Sequence, residues 1–329
     1  HILGRFLLKV VVAGGAGLIG SHLCARLLQE DHDVWCVDNL LTGSERNIEA
    51  LKSNANFHFL QHDITNPLEL ETKVDAIFHL ASPASPVGYW THPFATIRAN
   101  TDGTWRLLDL ARASAARFLM ASTSEAYGDP LVHPQPEDYW GNVNPIGVRA
   151  CYDESKRLGE TITMEFHRQY AVDARIVRIF NTYGPHSQLN DGRMIPNFIM
   201  AALANEPVTI HGTGEQTRSI CYVDDLVDGL MRAMFTGGTT AEVFNLGNPE
   251  EHTILEWARL ITELCGATSP LTFEEKRQDD PERRRPDIAK ARRMLGWEPT
   301  TDPKTGLART IAWFRRECER DGASLSANR

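Results

Sequence analysis

Residues 10–20, VVVAGGAGLIG, decide the fold. An apolar run leads into three glycines spaced GxxGxxG, and the residues that follow, up to 29, carry helical amphipathic spacing. Glycine patterns of this kind often match by chance, so the position between a strand and a helix carries the weight. There Gly14 permits a tight turn, Gly17 lets backbone approach a diphosphate, and Gly20 lets helix and strand pack closely. The diphosphate then lies at the positive end of the helix. Asp38 ends the next apolar run, where a carboxylate can accept hydrogen bonds from ribose hydroxyls and repel a 2′-phosphate. NAD is therefore expected rather than NADP, with Arg46 close enough in sequence to keep the second in view.

Outward from this turn, short apolar runs alternate with helical patterns, the rhythm of βαβ units and a parallel sheet. Strands are expected at 7–13, 34–37, 57–60, 76–80, 116–122 and 174–180. Helices are expected at 18–29, 94–114 and 149–170, with a polar, proline-containing and functional loop at 129–145. Beyond 181 the rhythm changes: irregular segments (181–193, 211–219) alternate with helices at 194–204 and 224–235, and 243–246 looks like another buried strand. The remainder is expected to be helical, interrupted by a proline- and arginine-rich turn at 281–286. The fold class is α/β, a Rossmann-type doubly wound parallel sheet with a smaller C-terminal substrate-binding lobe. Residues 1–180 are expected to form the nucleotide-binding domain, with a return around 220–250, and 181–329 mainly a smaller C-terminal lobe.

Composition bounds the function. At 329 residues, 42% hydrophobic and 23% charged, the chain is an ordinary globular enzyme without low-complexity bias. A formal net charge of −9 argues against a nucleic-acid partner, which needs a basic field. No apolar run of about 18 residues or more occurs, so no membrane span is expected. Residues 1–13 read as a strand rather than a signal peptide, and a segment ahead of His1 stays open because the chain does not begin with Met. Six scattered cysteines without a CxxC pair favour free thiols in a reducing compartment over a disulfide framework or a metal site.

Tyr152-Asp153-Glu154-Ser155-Lys156 places a phenol and an ammonium one helical turn apart. The ammonium is expected to favour the phenolate and lower the tyrosine toward the range of a general base, while also holding the nicotinamide ribose. A lone YxxxK is common; here it follows the glycine turn and a hydroxyl-rich strand end, Ser122-Thr123-Ser124-Glu125. The combination resembles the short-chain dehydrogenases/reductases. The length beyond Tyr152 resembles their extended branch, many of whose members act on nucleotide sugars.

The resemblance then narrows. HLASPASP at 79–86, GNVNPIGVRACYDESK at 141–156, IFNTYGP at 179–185, NDGR at 190–193, QTR at 216–218 and NLGNPEEHTIL at 245–255 are similar to the UDP-glucuronic acid decarboxylases (UDP-xylose synthases). The likeness runs from the glycine turn to about Pro299.

It implies oxidation of the sugar C4 hydroxyl by bound NAD, loss of CO2 from the 4-keto intermediate, and re-reduction to UDP-xylose. Catalytic roles are implied for Thr123, Ser124, Glu125, Tyr152, Lys156 and Arg218, with Glu125 and Arg218 near C5. Cofactor contacts are implied for Gly14, Gly17, Leu18, Ile19, Gly20, Asp38, Asn39, Thr42, Gly43, Asp63, Ile64, Leu80, Ser82, Tyr152 and Lys156. Substrate contacts are implied for Pro86, Tyr89, Asn181, Arg193, Asn197, His211, Gln216, Arg218 and Arg285, with Tyr89 beside the carboxylate. Departures from the family pattern are His211 for Tyr, Asn142 for His and Val148 for Pro. A homodimer through the Tyr-bearing helix and a second core helix is implied, in the cytoplasm or, as in animal members, the Golgi lumen.

A nucleotide-sugar 4-epimerase or 4,6-dehydratase is the competing enzyme. Against it stands Ser124-Glu125, where a dehydratase carries Asp-Glu and an epimerase needs no such acid. A non-catalytic NAD sensor would typically lack the Tyr or Lys that this chain retains.

Overall fold

The computed structural model describes residues 7–275, 284–320 and 322. The strand and signal-peptide expectation for the first six residues, and the 281–283 part of the proline- and arginine-rich turn, lie outside them.

The first half alternates strand and helix: β1 Lys9–Ala13, α1 Leu18–Gln29, β2 Asp33–Asp38, β3 Phe57–Gln61, β4 Ala76–His79, α2 Pro86–Thr91, α3 Pro93–Arg98, α4 Thr104–Ser114, β5 Arg117–Thr123, α5 Ala150–Tyr170 and β6 Ala174–Ile179. There follow β7 Thr182–Tyr183, α6 Met194–Leu203, β8 Val208–His211, β9 Thr217–Arg218, β10 Cys221–Tyr222, α7 Val223–Phe235, β11 Val243–Leu246, β12 His252–Thr253, α8 Ile254–Cys265, β13 Leu271–Glu274, α9 Ala289–Leu295 and α10 Pro303–Arg320.

The central sheet has seven parallel strands in the order β11-β6-β5-β4-β1-β2-β3. Its inner strands are continuous apolar runs because helices cover both faces. One apolar cluster joins β1 and β4 to α1, α7 and the C-terminal helices through residues such as Val12, Phe78, Leu27 and Leu230. The other joins them to α4 and α5 through Leu107, Met120, Phe166 and Ile176. Strand order reverses between β1 and β4, so their C-terminal ends open a crevice where ligands of this architecture bind. The last sheet strand, β11, arrives from beyond residue 181 and pairs with β6, Phe244 opposite Val177.

Short elements absent from the expected list appear at α2, β7, β8, β9, β10 and β12, and two longer segments also differ from expectation. The helix expected over 94–114 is interrupted by a π turn, Ala99–Gly103. There Asn100 turns inward and donates from Nδ2 to Ser155 Oγ at 3.0 Å, while Thr104 Oγ1 donates to the Asn100 carbonyl. The region expected to be helical after 247 contains a strand, β13, paired in parallel with β8 (Leu271 with Val208, Glu274 with His211). Four residues of strand are too short for periodicity to separate from a helix, and only the partner strand decides.

Candidate active site

A cleft of about 1010 Å³ runs across the C-terminal edge of the sheet. At one end stands the glycine turn. Gly14 adopts φ +80° and donates its N–H to the Val37 carbonyl at 2.7 Å. A Cβ on it would lie 2.7 Å from the backbone of Leu80 and Ala81. At Gly20 a Cβ would fall 2.1 Å from the Gly14 carbonyl oxygen, so strand and helix touch through bare backbone. At Gly17 the nearest atom, the Gly14 oxygen, is 3.4 Å away, and this open side faces the cleft. Gly17 caps α1 without a side chain, leaving first-turn N–H groups for an anion. A dinucleotide diphosphate fits this cradle, and Leu18, Ile19, Thr42, Leu80 and Ser82 line the cleft beside it.

Asp38 stands one layer behind. Its Oδ2 accepts from the Ala16 N–H at 3.0 Å and its Oδ1 from the Leu40 N–H at 2.8 Å. Burial pushes its carboxyl up, and those two bonds oppose the shift. A Cβ on Gly43 would come within 2.9 Å of this carboxylate, so Gly43 is the residue that lets the loop close over it. Asn39 donates to Asp63 at 3.3 Å. Ile64 packs beneath Gly103, where a Cβ would lie 2.5 Å from its Cδ1. These five buttress the cofactor end and are not among the residues lining the cleft. Arg46 does line it, 3.9 Å from Glu317 of α10.

At the middle, β5 delivers Thr123 and α5 delivers Tyr152 and Lys156. The buried face of α5 carries Tyr152, Ser155, Lys156, Gly159, Thr163 and Phe166, a helical stripe against the sheet. Tyr152 hydrogen-bonds Thr123. Lys156 Nζ donates to the Ala121 carbonyl at 2.7 Å and stands 5.9 Å from the centre of the Tyr152 ring. Burial lowers Lys156 to about 7, with Glu160 opposing the shift.

The tyrosine does not move as expected. Burial pushes Tyr152 up, against the Thr123 hydrogen bond. Lys156 does not offset this, because the same dry pocket that penalises a phenolate also penalises the ammonium meant to favour it. Tyr89 lies flat on Tyr152, ring centres 5.1 Å apart and planes 12° from parallel.

Beyond the tyrosine pair, Glu125 is clasped by two arginines. Arg149 Nη2 holds one carboxylate oxygen and Arg284 Nη1 the other. Burial alone would raise this carboxyl; Arg284 first, then Arg149, outweigh it and hold it below the ordinary range. Ser124 is buried beside it in the wall. Asp153, one residue past the tyrosine, is buried and pushed up by desolvation and by Glu125.

Neither Arg149 nor Arg284 was expected in the site. Arg149 lies inside the 141–156 motif, and Arg284 adjoins the expected Arg285. Arg285 is not among the lining residues: its Nη1 lies 3.8 Å from Glu251 and its N–H donates to Gln135 Oε1 at 3.0 Å. Extended pairing with Gln135, which donates its N–H to the Arg285 carbonyl, sends consecutive side chains to opposite sides and Arg284 inward.

The other expected substrate residues line the far end. Arg218 is largely buried, its Nη1 donating to the Thr217 carbonyl at 2.8 Å. Arg193 Nη2 donates to the Ala84 carbonyl at 2.7 Å, tying the start of α6 to the loop that carries Pro86. Asn181, Asn197 and Gln216 complete this wall. His211 ends β8 with Nδ1 3.7 Å from Glu274, so it sits in a strand pair rather than a loop. Among the described residues no group of three or more potential metal ligands occurs, and no helix is long and apolar enough to cross a membrane.

The sequence profile of the NAD dependent epimerase/dehydratase family matches residues 10–247. UDP-glucuronic acid decarboxylase 1 of Xenopus tropicalis is 50% identical over 311 residues, 94% of this chain and 73% of that protein. UDP-glucuronic acid decarboxylase 2 of Arabidopsis thaliana is 50% identical over 323 residues, 97% of this chain and 72% of that protein. Among solved structures, UDP-glucuronic acid 4-epimerase from Bacillus cereus in complex with UDP-glucuronic acid and NAD superimposes with a TM-score of 0.83 at 27% identity, covering 94% of this chain and 100% of that one. UDP-glucose 4-epimerase of Thermotoga maritima with UDP-glucose gives 0.86 at 30% identity, over 94% and 99%.

Proposed function

This chain belongs to the NAD dependent epimerase/dehydratase family and, within it, to the UDP-glucuronic acid decarboxylases, and we propose that it converts UDP-glucuronate to UDP-xylose and CO2. The observation that carries the reading is the convergence in one cleft of Tyr152, Thr123 and Lys156 with the doubly clasped Glu125.

NAD, held at the Gly14–Gly20 turn, would supply the acceptor for the C4 hydride and later its donor. Tyr152 takes the C4 hydroxyl proton, and Thr123 shares the hydrogen bond to that oxygen. Once C4 is a ketone, the carboxylate is that of a β-keto acid. The bond from C5 to the carboxyl carbon breaks, CO2 leaves, and the electron pair passes into an enolate whose charge rests on the C4 oxygen. Tyr152 and Thr123 hold that oxygen. Protonation at C5 restores the ketone before reduction. Glu125, held ionised by Arg284 and Arg149, orients groups near C5 rather than donating that proton; an organised water serves instead. Tyr89 meets the carboxylate through its phenol. A carboxylate about to be lost is better held by a neutral donor than by a tight ion pair.

Arg193, Arg218, Asn181, Asn197, Gln216 and His211 take the UDP part, the guanidinium forks suiting a diphosphate. Residues 181–329 thus form mainly the sugar-nucleotide lobe, and Asp38 with its neighbours supports the adenosine ribose. Phe94, Ile97, Trp105 and Leu158 are exposed on α3, α4 and α5, and this face suits a second copy of the chain in a homodimer. Six free cysteines suit a reducing compartment, the cytoplasm.

The test is incubation of the purified protein with UDP-glucuronate. Release of CO2 with formation of a UDP-pentose is expected. A hexose product retaining every carbon would replace this reading with epimerase or dehydratase activity, and no product with NAD present would remove it.

A further inference from the structure

We propose that Tyr89 is a positioning residue for Tyr152: its ring, laid against the phenol, fixes the plane of the base and keeps water from one face of it. This rests on the decarboxylase reading and adds to Tyr89 a role separate from any contact it makes with substrate.

The pairing is built in rather than incidental. Tyr89 sits on α2, a short helix with Pro86 at its first position and Ser85 at its N-cap, whose Oγ accepts from the Gly88 N–H at 3.1 Å. That fixes where residue 89 points. The Cys151 thiol donates to the Tyr89 carbonyl at 3.8 Å, so the helix is docked on the start of α5 as well. Tyr89 is 2% exposed and Tyr152 6%. Parallel rings with centres 5.1 Å apart are within the range of offset aromatic stacking.

Charges of both signs surround the pair. Lys156 and Asp153 belong to α5, Glu125 to the turn after β5, and Arg193 to the segment before α6. Arg149 with Glu125 and Asp153 faces Tyr89. Because these oppose one another, dryness dominates: burial is the largest cause raising both phenols. The ring of Tyr89 supplies part of that dryness, and a base whose ring is free to tilt leaves the line to the C4 hydroxyl.

Ring and hydroxyl are separable by substitution. In NAD-loaded enzyme, Tyr89→Phe keeps the ring but loses the phenol that meets the carboxylate; turnover is expected to fall while its acidic pH limb stays in place. Tyr89→Leu removes the ring and is expected to lower kcat roughly tenfold to a hundredfold. Its acidic limb should move to lower pH as water reaches the phenol. A second readout needs no turnover. The ultraviolet phenolate titration, taken as each protein minus its Tyr152→Phe counterpart, should shift to lower pH in Tyr89→Leu and not in Tyr89→Phe.

An unchanged limb and phenolate titration in Tyr89→Leu would overturn the proposal, as would equal shifts of both in Tyr89→Phe. If Tyr89→Leu does not fold, Tyr89→Met serves in its place. Wild-type protein that releases no CO2 would sink the decarboxylase reading alone, since the phenolate titration still decides the role of Tyr89.

Discussion

Arg284 and Glu125, 159 residues apart in the chain, form a buried ion pair in the wall of the cleft, with Arg149 on the other carboxylate oxygen. Removing one partner of such a pair leaves an uncompensated buried charge, a loss of about 3–5 kcal/mol. Glu125→Gln should therefore lower the melting temperature clearly as well as reduce turnover. The carboxyl is depressed in the folded state, so its contribution is complete above the ordinary glutamate value near 4.3 and is lost as pH falls through the lower folded value. Thermal melts of both proteins from neutral to acid pH check this: the gap should be steady at neutral pH and close at strongly acid pH.

Lys156 is also lowered, but by burial of its charge rather than by pairing. Its folded value, about 7, lies below that of a free lysine. The unfolded chain therefore binds more protons between about 7 and about 10.4, and stability rises with pH across that window. The burial penalty is complete below about 7. Lys156→Met, which removes the buried charge at similar volume, should be inactive yet more stable than wild type at pH 6, with the advantage shrinking toward pH 10. An advantage independent of pH would show that Lys156 titrates normally.

Two glycines of the first turn should separate folding from cofactor binding. Gly20→Ala places a Cβ 2.1 Å from the Gly14 carbonyl oxygen, backbone that cannot yield, and should cost stability and soluble yield. At Gly17 a Cβ has no contact closer than 3.4 Å. Gly17→Ala should melt near wild type but lose NAD, because its methyl stands where the diphosphate approaches. Nucleotide released by acid from the purified proteins measures this, with wild type expected to copurify with NAD(H). Retention of NAD in Gly17→Ala would put the diphosphate elsewhere.

The exposed face of α4 and α5 makes a prediction about assembly. Trp105 and Leu158 stand half-exposed on adjacent helices. Trp105→Glu with Leu158→Glu should convert a dimer to a monomer in sedimentation experiments while leaving the far-ultraviolet circular dichroism unchanged. A wild-type protein already monomeric at micromolar concentration would exclude this interface.

What local sequence determined is what short-range physics determines. The glycine turn needs bare backbone at Gly14, Gly17 and Gly20, and the helix that follows starts at the expected residue, Leu18. Tyr152 and Lys156 share a face because four residues make about one helical turn. The strands of the parallel sheet announced themselves as buried apolar runs.

Tertiary structure decided whatever depends on residues far apart. Three arginines in a row, 283–285, are indistinguishable as letters; pairing of that segment with Gln135 is what turns Arg284 inward to Glu125 and leaves Arg285 against Glu251. β13 exists because β8 lies beside it. The ionisation of Tyr152 and Lys156 is the clearest case. Their spacing promised a stabilised phenolate, but the penalty for burying a charge depends on what covers the pair. Part of that cover, the ring of Tyr89 against Tyr152, comes from a helix more than sixty residues earlier in the chain.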